Sequence, residues 1–285
     1  MNIGMLKQIT ENFLSVSFDN KISPERALHK ELAGLRIFNS ALLGFAKATD
    51  SYFTDIQSED AASAMSPPEF WLPSAHTVIS IFLPFSDQVK ESNRKKRKQP
   101  SAEWMHGRIE GQKFINTLCS HIQEVIIDNG YEAIVPAMDK RSWSIPFPDE
   151  NTNPAHSYQS NWSERHVAYI CGLGTFSLSK GLITSKGVAG RLGSIITSLE
   201  LPPTERPYKR IDEYCIRCGV CVRNCPANAI SLEKGKENFP CSELLKKVLE
   251  ENYPYYGCGK CQTAVPCESE IPKKNTNYTK LNNRI

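Results

Sequence analysis

The sequence predicts an α+β chain in two parts, an α/β region over residues 1–207 and a small cysteine-rich region over residues 208–285. Three observations predict it. A length of 285 residues suits about two domains. Strand-like and helix-like patterns alternate as far as a proline-marked boundary at Pro202-Pro203 and Pro207. Beyond that boundary, Cys215, Cys218, Cys221, Cys225, Cys241, Cys258, Cys261 and Cys267 crowd together, leaving only Cys119 and Cys171 elsewhere.

The elements follow in order. Ser23-Pro24 offers a helix start, and Leu28, Leu32, Leu35, Leu42 and Phe45 recur at nearly helical spacing, which predicts a helical first quarter. Pro67-Pro68 marks a break. Thr77 to Leu83 is β-branched and almost continuously apolar, the pattern of a buried strand. The basic stretch Lys90 to Gln99 is expected as a loop closed by Pro100. A long helix follows, capped by Ser101 and ended by Asn129-Gly130, with Ile115, Leu118, Cys119, Ile122 and Ile126 toward a core. Tyr131 to Ala137 and Arg191 to Leu201 are expected as strands, and Ser163 to Ile170 as a short helix. Between them, Asp139 to Asn161 has no period, and a loop of that length is usually functional.

Composition removes several function classes. Hydrophobic residues make up 40% and charged residues 23%, which excludes wholesale disorder. Lys90 to Lys98 holds six basic residues and one glutamate, a surplus of five against a whole-chain charge of +3. The rest is therefore slightly acidic, and a general nucleic-acid surface is not implied. No run approaches the ~18 apolar residues of a membrane span. The first twenty residues are broken by Lys7, Glu11 and Asp19 and lack a secretory apolar core, so the cytoplasm is the expected location.

Reducing compartments disfavour structural disulfides, so the crowded thiols point to metal. Cys215-x2-Cys218-x2-Cys221-x3-Cys225-Pro226 is the bacterial ferredoxin run, three thiolates wrapping one cubane cluster and the fourth reaching the other. Gly219 suits the wrapped loop. Zinc ribbons use two separated knuckles and do not show this third close cysteine. Cys258-x2-Cys261 is a second knuckle, followed at a longer spacing by Cys267. By the arrangement of two-cluster ferredoxins, Cys215, Cys218, Cys221 and Cys267 hold one [4Fe-4S] cluster. Cys225, Cys241, Cys258 and Cys261 hold the other. Cys119 and Cys171 are expected to be inert buried thiols.

Upstream of these cysteines, Glu164-Arg165-His166-Val167-Ala168 leads into Gly172-Leu173-Gly174, with Gly193-Ser194-Ile195-Ile196-Thr197 further on and Leu72-Pro73-Ser74-Ala75-His76-Thr77-Val78-Ile79 before. In this order the segments resemble the epoxyqueuosine reductases and, more broadly, the superfamily that includes the reductive dehalogenases. The resemblance implies a nitroreductase-like α/β domain holding cobalamin, followed by a ferredoxin-like domain whose two clusters feed electrons to cobalt. It implies cofactor contacts at Gly172, Leu173, Gly174, Ser179, Gly193 and Ser194. It also implies a reduced donor of the ferredoxin or flavodoxin type and an organic substrate of unidentified kind.

The family's catalytic Asp stands seven positions before the matched Arg; here that position is Tyr158. The reductive dehalogenases use a Tyr as proton donor, so the resemblance implies Tyr158 as donor with Arg165 as the anchor that stabilises its phenolate. Asp149 is the competing acid in the same loop. The chain stops soon after Cys267, where tRNA-modifying members continue into helical repeats, so tRNA is not an expected partner. An electron carrier or reductase activator without cobalamin is the rival expectation, and a tRNA-modifying reductase a third.

Overall fold

A computed structural model describes residues 1–56, 64–96, 98–145 and 159–274. The chain opens with α1 (Ile3–Val16), whose cap Asn2 accepts a hydrogen bond from the Met5 amide through its side chain. It continues through β1 (Leu42–Lys47), α2 (Tyr52–Asp55), α3 (Pro68–Trp71) and β2 (Thr77–Pro84). The helices α4 (Asp87–Lys95) and α5 (Ala102–Asp128) precede β3 (Ala133–Ile134), α6 (Glu164–Ile170), β4 (Gly174–Phe176), β5 (Leu182–Thr184) and β6 (Gly190–Thr197). The cysteine-rich region adds α7 (Val220–Asn224), β7 (Ile230–Ser231), β8 (Gly235–Lys236) and α8 (Asn238–Asn252).

The main sheet has the order β1-β2-β6-β3 and is antiparallel throughout. All eight residues of β2 are buried, because helices cover both faces of the sheet. On one face lies α5, whose Ile115, Leu118, Cys119, Ile122 and Ile126 are fully buried. Its Ser101 cap accepts from the Trp104 amide, and Gly130 closes it at φ +87°. Gly193 of β6 lets α5 come close, since a Cβ there would stand 3.0 Å from the Cys119 sulfur. On the other face α6 packs Val167, Ala168 and Ile170 against Val78, Phe82 and Ile196. Among the described residues, no helix is long and apolar enough to cross a membrane.

Three expectations are corrected. The leucine series from Leu28 is not a helix: the chain makes turns there, and Leu42 and Phe45 belong to β1. Gly34 at φ +81° and the ladder of β1 against β2 override the apparent period. Lys90 to Lys95 is helical rather than a loop, started by Ser86 accepting from the Val89 amide. The strand expected over Tyr131 to Ala137 is confined to Ala133–Ile134, because Pro136 opens a tight turn.

Candidate iron–sulfur centre and the cavity beside it

The cysteine-rich region is wound by positive-φ residues: Arg217, Gly219, Asn228, Gly257, Gly259 and Ala264. Such turns bring distant thiols to a common centre. The thiols line two cavities in two sets, a first ring and a second, and among the described residues no three of them stand close enough to hold a single metal ion. Cys215, Cys218, Cys221 and Cys267 line one small cavity, walled by apolar Ile183, Leu178, Val265 and Pro266, with Cys261 at its edge. Cys225, Cys241, Cys258 and Cys261 line a second, larger cavity of about 410 Å³.

Electrostatics couples the thiols within each set and joins the two sets through Cys221 and Cys261. Burial raises the Cys267 thiol, and Cys221, Cys215 and Cys218 add to the effect. Cys221 is pushed up to about 12 by burial, then by Cys261, Cys218 and Cys215. Cys258 is also pushed up to about 12 by burial, with Cys261 and Cys241 contributing. Neighbouring thiols cannot all ionise in such a setting without a cationic centre among them, and iron would supply it. The Ala229 amide donates to Cys225 Sγ at 3.3 Å, a contact that tunes a cluster's potential.

The second ring is clasped to the α/β region by the basic helix α4. Asn93 Nδ2 donates to the Cys258 carbonyl and to Thr263 Oγ1, both at 3.1 Å. Lys260 Nζ returns the contact to the Asn93 and Lys96 carbonyls, each at 2.6 Å, and burial lowers it to about 8. The Arg94 guanidinium grips the buried Glu268 carboxylate, while Lys90 Nζ donates to Ser269 Oγ at 3.0 Å. Beneath the loop, Trp104 of α5 packs under Gly257 and Gly259, its ring edge-on to Phe85 with centroids 4.8 Å apart. Lys90 and Arg94 are therefore spent on internal contacts rather than left solvated.

Residues 208–231 match the 4Fe-4S binding domain family. A trichloroethene reductive dehalogenase of Dehalococcoides mccartyi is 30% identical over 105 residues, which is 36% of this chain and 18% of that protein. The epoxyqueuosine reductase of Streptococcus thermophilus superposes with a TM-score of 0.50 at 16% identity, covering 96% of this chain and 69% of that one. The chain has the epoxyqueuosine reductase fold. A reductive dehalogenase whose structure suggests a mechanism for B12-dependent dehalogenation gives a TM-score of 0.47 at 18% identity, over 84% of this chain and 31% of that one.

Within the epoxyqueuosine reductase fold, the residues expected at the site separate into two groups. Arg165 and Ser179 lie by the thiols. Arg165, exposed at the start of α6, lines the larger cavity with the second ring. Ser179 is buried, bonded to Ser177 Oγ at 2.9 Å and close enough to hydrogen-bond the Cys261 sulfur. The other expected cofactor contacts do not line that cavity. A Cβ on Gly172 would meet Thr204, and one on Gly174 would fall 1.9 Å from the Ile183 carbonyl oxygen. Gly193 faces α5, Leu173 packs against Gly44, and Ser194 Oγ accepts from Trp162 Nε1 at 2.8 Å. Tyr158 and Asp149 lie outside the described residues. Cys119 and Cys171 are fully buried and their thiols are raised by burial, as inert thiols are.

These placements bear on cobalamin. Five of its six expected contacts are packed into the protein. The cavity at the second ring, which includes the space over the thiols, has the volume of a drug-sized ligand site rather than of a macrocycle carrying a nucleotide tail. Among the described residues, the cavity at the second ring is smaller than a corrinoid needs.

What surrounds that cavity was not foreseen. Arg108 of α5 and Arg191 of β6 line it, with Trp104, Phe85 and Phe176. Arg191 stands at the start of an otherwise apolar strand, whereas Arg108 lies among other charged residues of α5 and carries no local signal. His166 also lines it, accepting or donating at 2.7 Å with Ser163 Oγ; burial, then Arg165, lowers it to about 4, so the ring is neutral.

Proposed function

We propose that the chain is an iron–sulfur reductase related to the epoxyqueuosine reductases, with two [4Fe-4S] clusters that relay electrons to a small molecule in the cavity beside the second ring. The observation that carries the reading is the shared lining: four thiols and the cationic, aromatic face of the α/β region bound the same space. Clusters of this type pass electrons one at a time. Two of them accept two electrons from a reduced ferredoxin- or flavodoxin-type donor and deliver both to one acceptor. The first ring is the entry point in this scheme, because the second ring adjoins the larger cavity. A cobalamin between cluster and substrate is the finer expectation of the resemblance. Tyr158 stands as the proton donor on the resemblance alone.

Stepwise reduction of anaerobically reconstituted protein, followed by electron paramagnetic resonance, tests the reading. Two cluster signals are expected, and Cys241→Ala should remove one of them. A single signal in the unaltered protein would refute the relay. Hydroxocobalamin added before gel filtration should elute separately; stoichiometric co-elution would restore the corrinoid and overturn the direct route. A pure carrier would pass electrons unchanged after Tyr158→Phe, whereas a reductase would lose turnover with its clusters intact.

A further inference from the structure

The charge around the second cavity is one-sided. Among the described residues lining it are Arg108, Arg165, Lys180, Arg191, Lys236 and Lys260, with no aspartate or glutamate. A cubane with its four thiolates carries a small net negative charge, which offsets only part of this. The surplus is positive; Arg165 and Lys180 stand exposed at its mouth, whereas Lys260 is buried, where charge acts more strongly than at a surface.

Two of the arginines are held in place yet left incomplete. Arg108 donates a terminal N–H to the Tyr256 hydroxyl at 2.8 Å, and its guanidinium carbon stands 4.4 Å from the centre of that ring. Arg191 donates from a terminal nitrogen to Gln112 Oε1. Each retains a buried Nε–H with no acceptor among the described residues. Buried donors are nearly always paired, and one left unpaired is costly. Two such donors on neighbouring guanidinium groups mark a place for an acceptor. Neither forms a salt bridge within the protein among the described residues. Burial, then Arg108 and Arg165, lowers Arg191 to about 9, with Tyr256 and Glu164 opposing more weakly. Trp104, Phe85 and Phe176 supply flat apolar walls.

We infer that this cavity binds a small organic anion, a carboxylate or phosphate ester on a flat apolar body, with Arg108 and Arg191 taking the charged group. Guanidinium suits both anions because its fork matches two acceptor oxygens. The inference rests on the reductase reading above and specifies its substrate class.

The test uses cluster-replete full-length protein and three probes: benzoate, phenyl phosphate and benzamide, the neutral counterpart of benzoate. Binding is read by calorimetry and by quenching of tryptophan fluorescence. Benzoate or phenyl phosphate should bind at least ~10-fold more tightly than benzamide, and Arg108→Gln and Arg191→Gln should each weaken the anion by ~10–100-fold, as the loss of a charged hydrogen bond does. Benzamide binding equal to benzoate in the unaltered protein overturns the inference without any variant. Variants that keep their iron and their anion affinity overturn it too. A preparation lacking the second cluster instead marks failure of the reductase reading, which the iron count reports separately.

Discussion

Gly259 stands between Cys258 and Cys261 at φ +67°, and a Cβ added there would lie 2.0 Å from Cε2 and 2.1 Å from Cζ2 of Trp104. The indole has little room to retreat, being 4% exposed and held edge-on against Phe85. Gly259→Ala therefore combines two costs: about 1–2 kcal/mol for a left-handed L-residue and about 1–3 kcal/mol for overpacking. Together they weaken the second ring's loop by about 2–5 kcal/mol, a factor of about 30 or more in cluster retention. Gly34→Ala is the matched control, since Gly34 has φ +81° but nothing within 4 Å of the added atom. Iron content and the rate of bleaching by a chelator read the difference. The first ring should keep its iron in both variants, and only Gly259→Ala should lose the second. Trp104→Phe in the same chain should recover part of the loss by removing the colliding atoms. Equal iron in Gly259→Ala and Gly34→Ala would refute the packing of the loop on Trp104.

Other outcomes follow from the same geometry. Cys225→Ala should abolish the cluster that shares its cavity with Arg165, and Cys267→Ala the other one, as resolved by the two resonance signals; the reverse pattern would contradict the crossing of the thiols. Glu164, whose carboxyl oxygens are buried, is pushed up to about 7 by burial against the opposing Ser194 and Arg191. A folded value above the unfolded one favours the protonated acid, so its contribution is complete below pH ~4.5 and lost as pH rises through about 7. Glu164→Gln should therefore stabilise the fold by up to about 3 kcal/mol at pH 8 and by distinctly less at pH 5.5, measured by thermal denaturation. Arg94→Ala removes one partner from a pair in which the Glu268 side chain is 7% and the Arg94 side chain 44% exposed. With that exposure screening the pair, about 1–2 kcal/mol and faster chelator bleaching of the first cluster, whose Cys267 adjoins Glu268, are expected.

Much of this architecture was legible in the sequence where one pattern ran without competition. Thr77 to Leu83 could only be a buried strand, and the stripe from Ile115 to Ile126 lies on α5 as its spacing requires. The cysteine spacing likewise marked the thiols that line the two cavities. Legibility failed where tertiary contacts replaced local ones. Lys90 and Arg94 read as solvated charge because their partners, Ser269 and Glu268, lie some 175 residues away in the chain. Gly172, Gly174 and Gly193 mark close approach, by Thr204, the Ile183 carbonyl and α5 respectively, which no local pattern announces. Arg108 and Arg191 meet only because α5 packs across β6, which no local period announces.

Iron and acid-labile sulfide in protein purified without oxygen test the central claim most directly. About eight irons per chain are expected, in two clusters that reduce separately. About four irons, or zinc in their place, would contradict it.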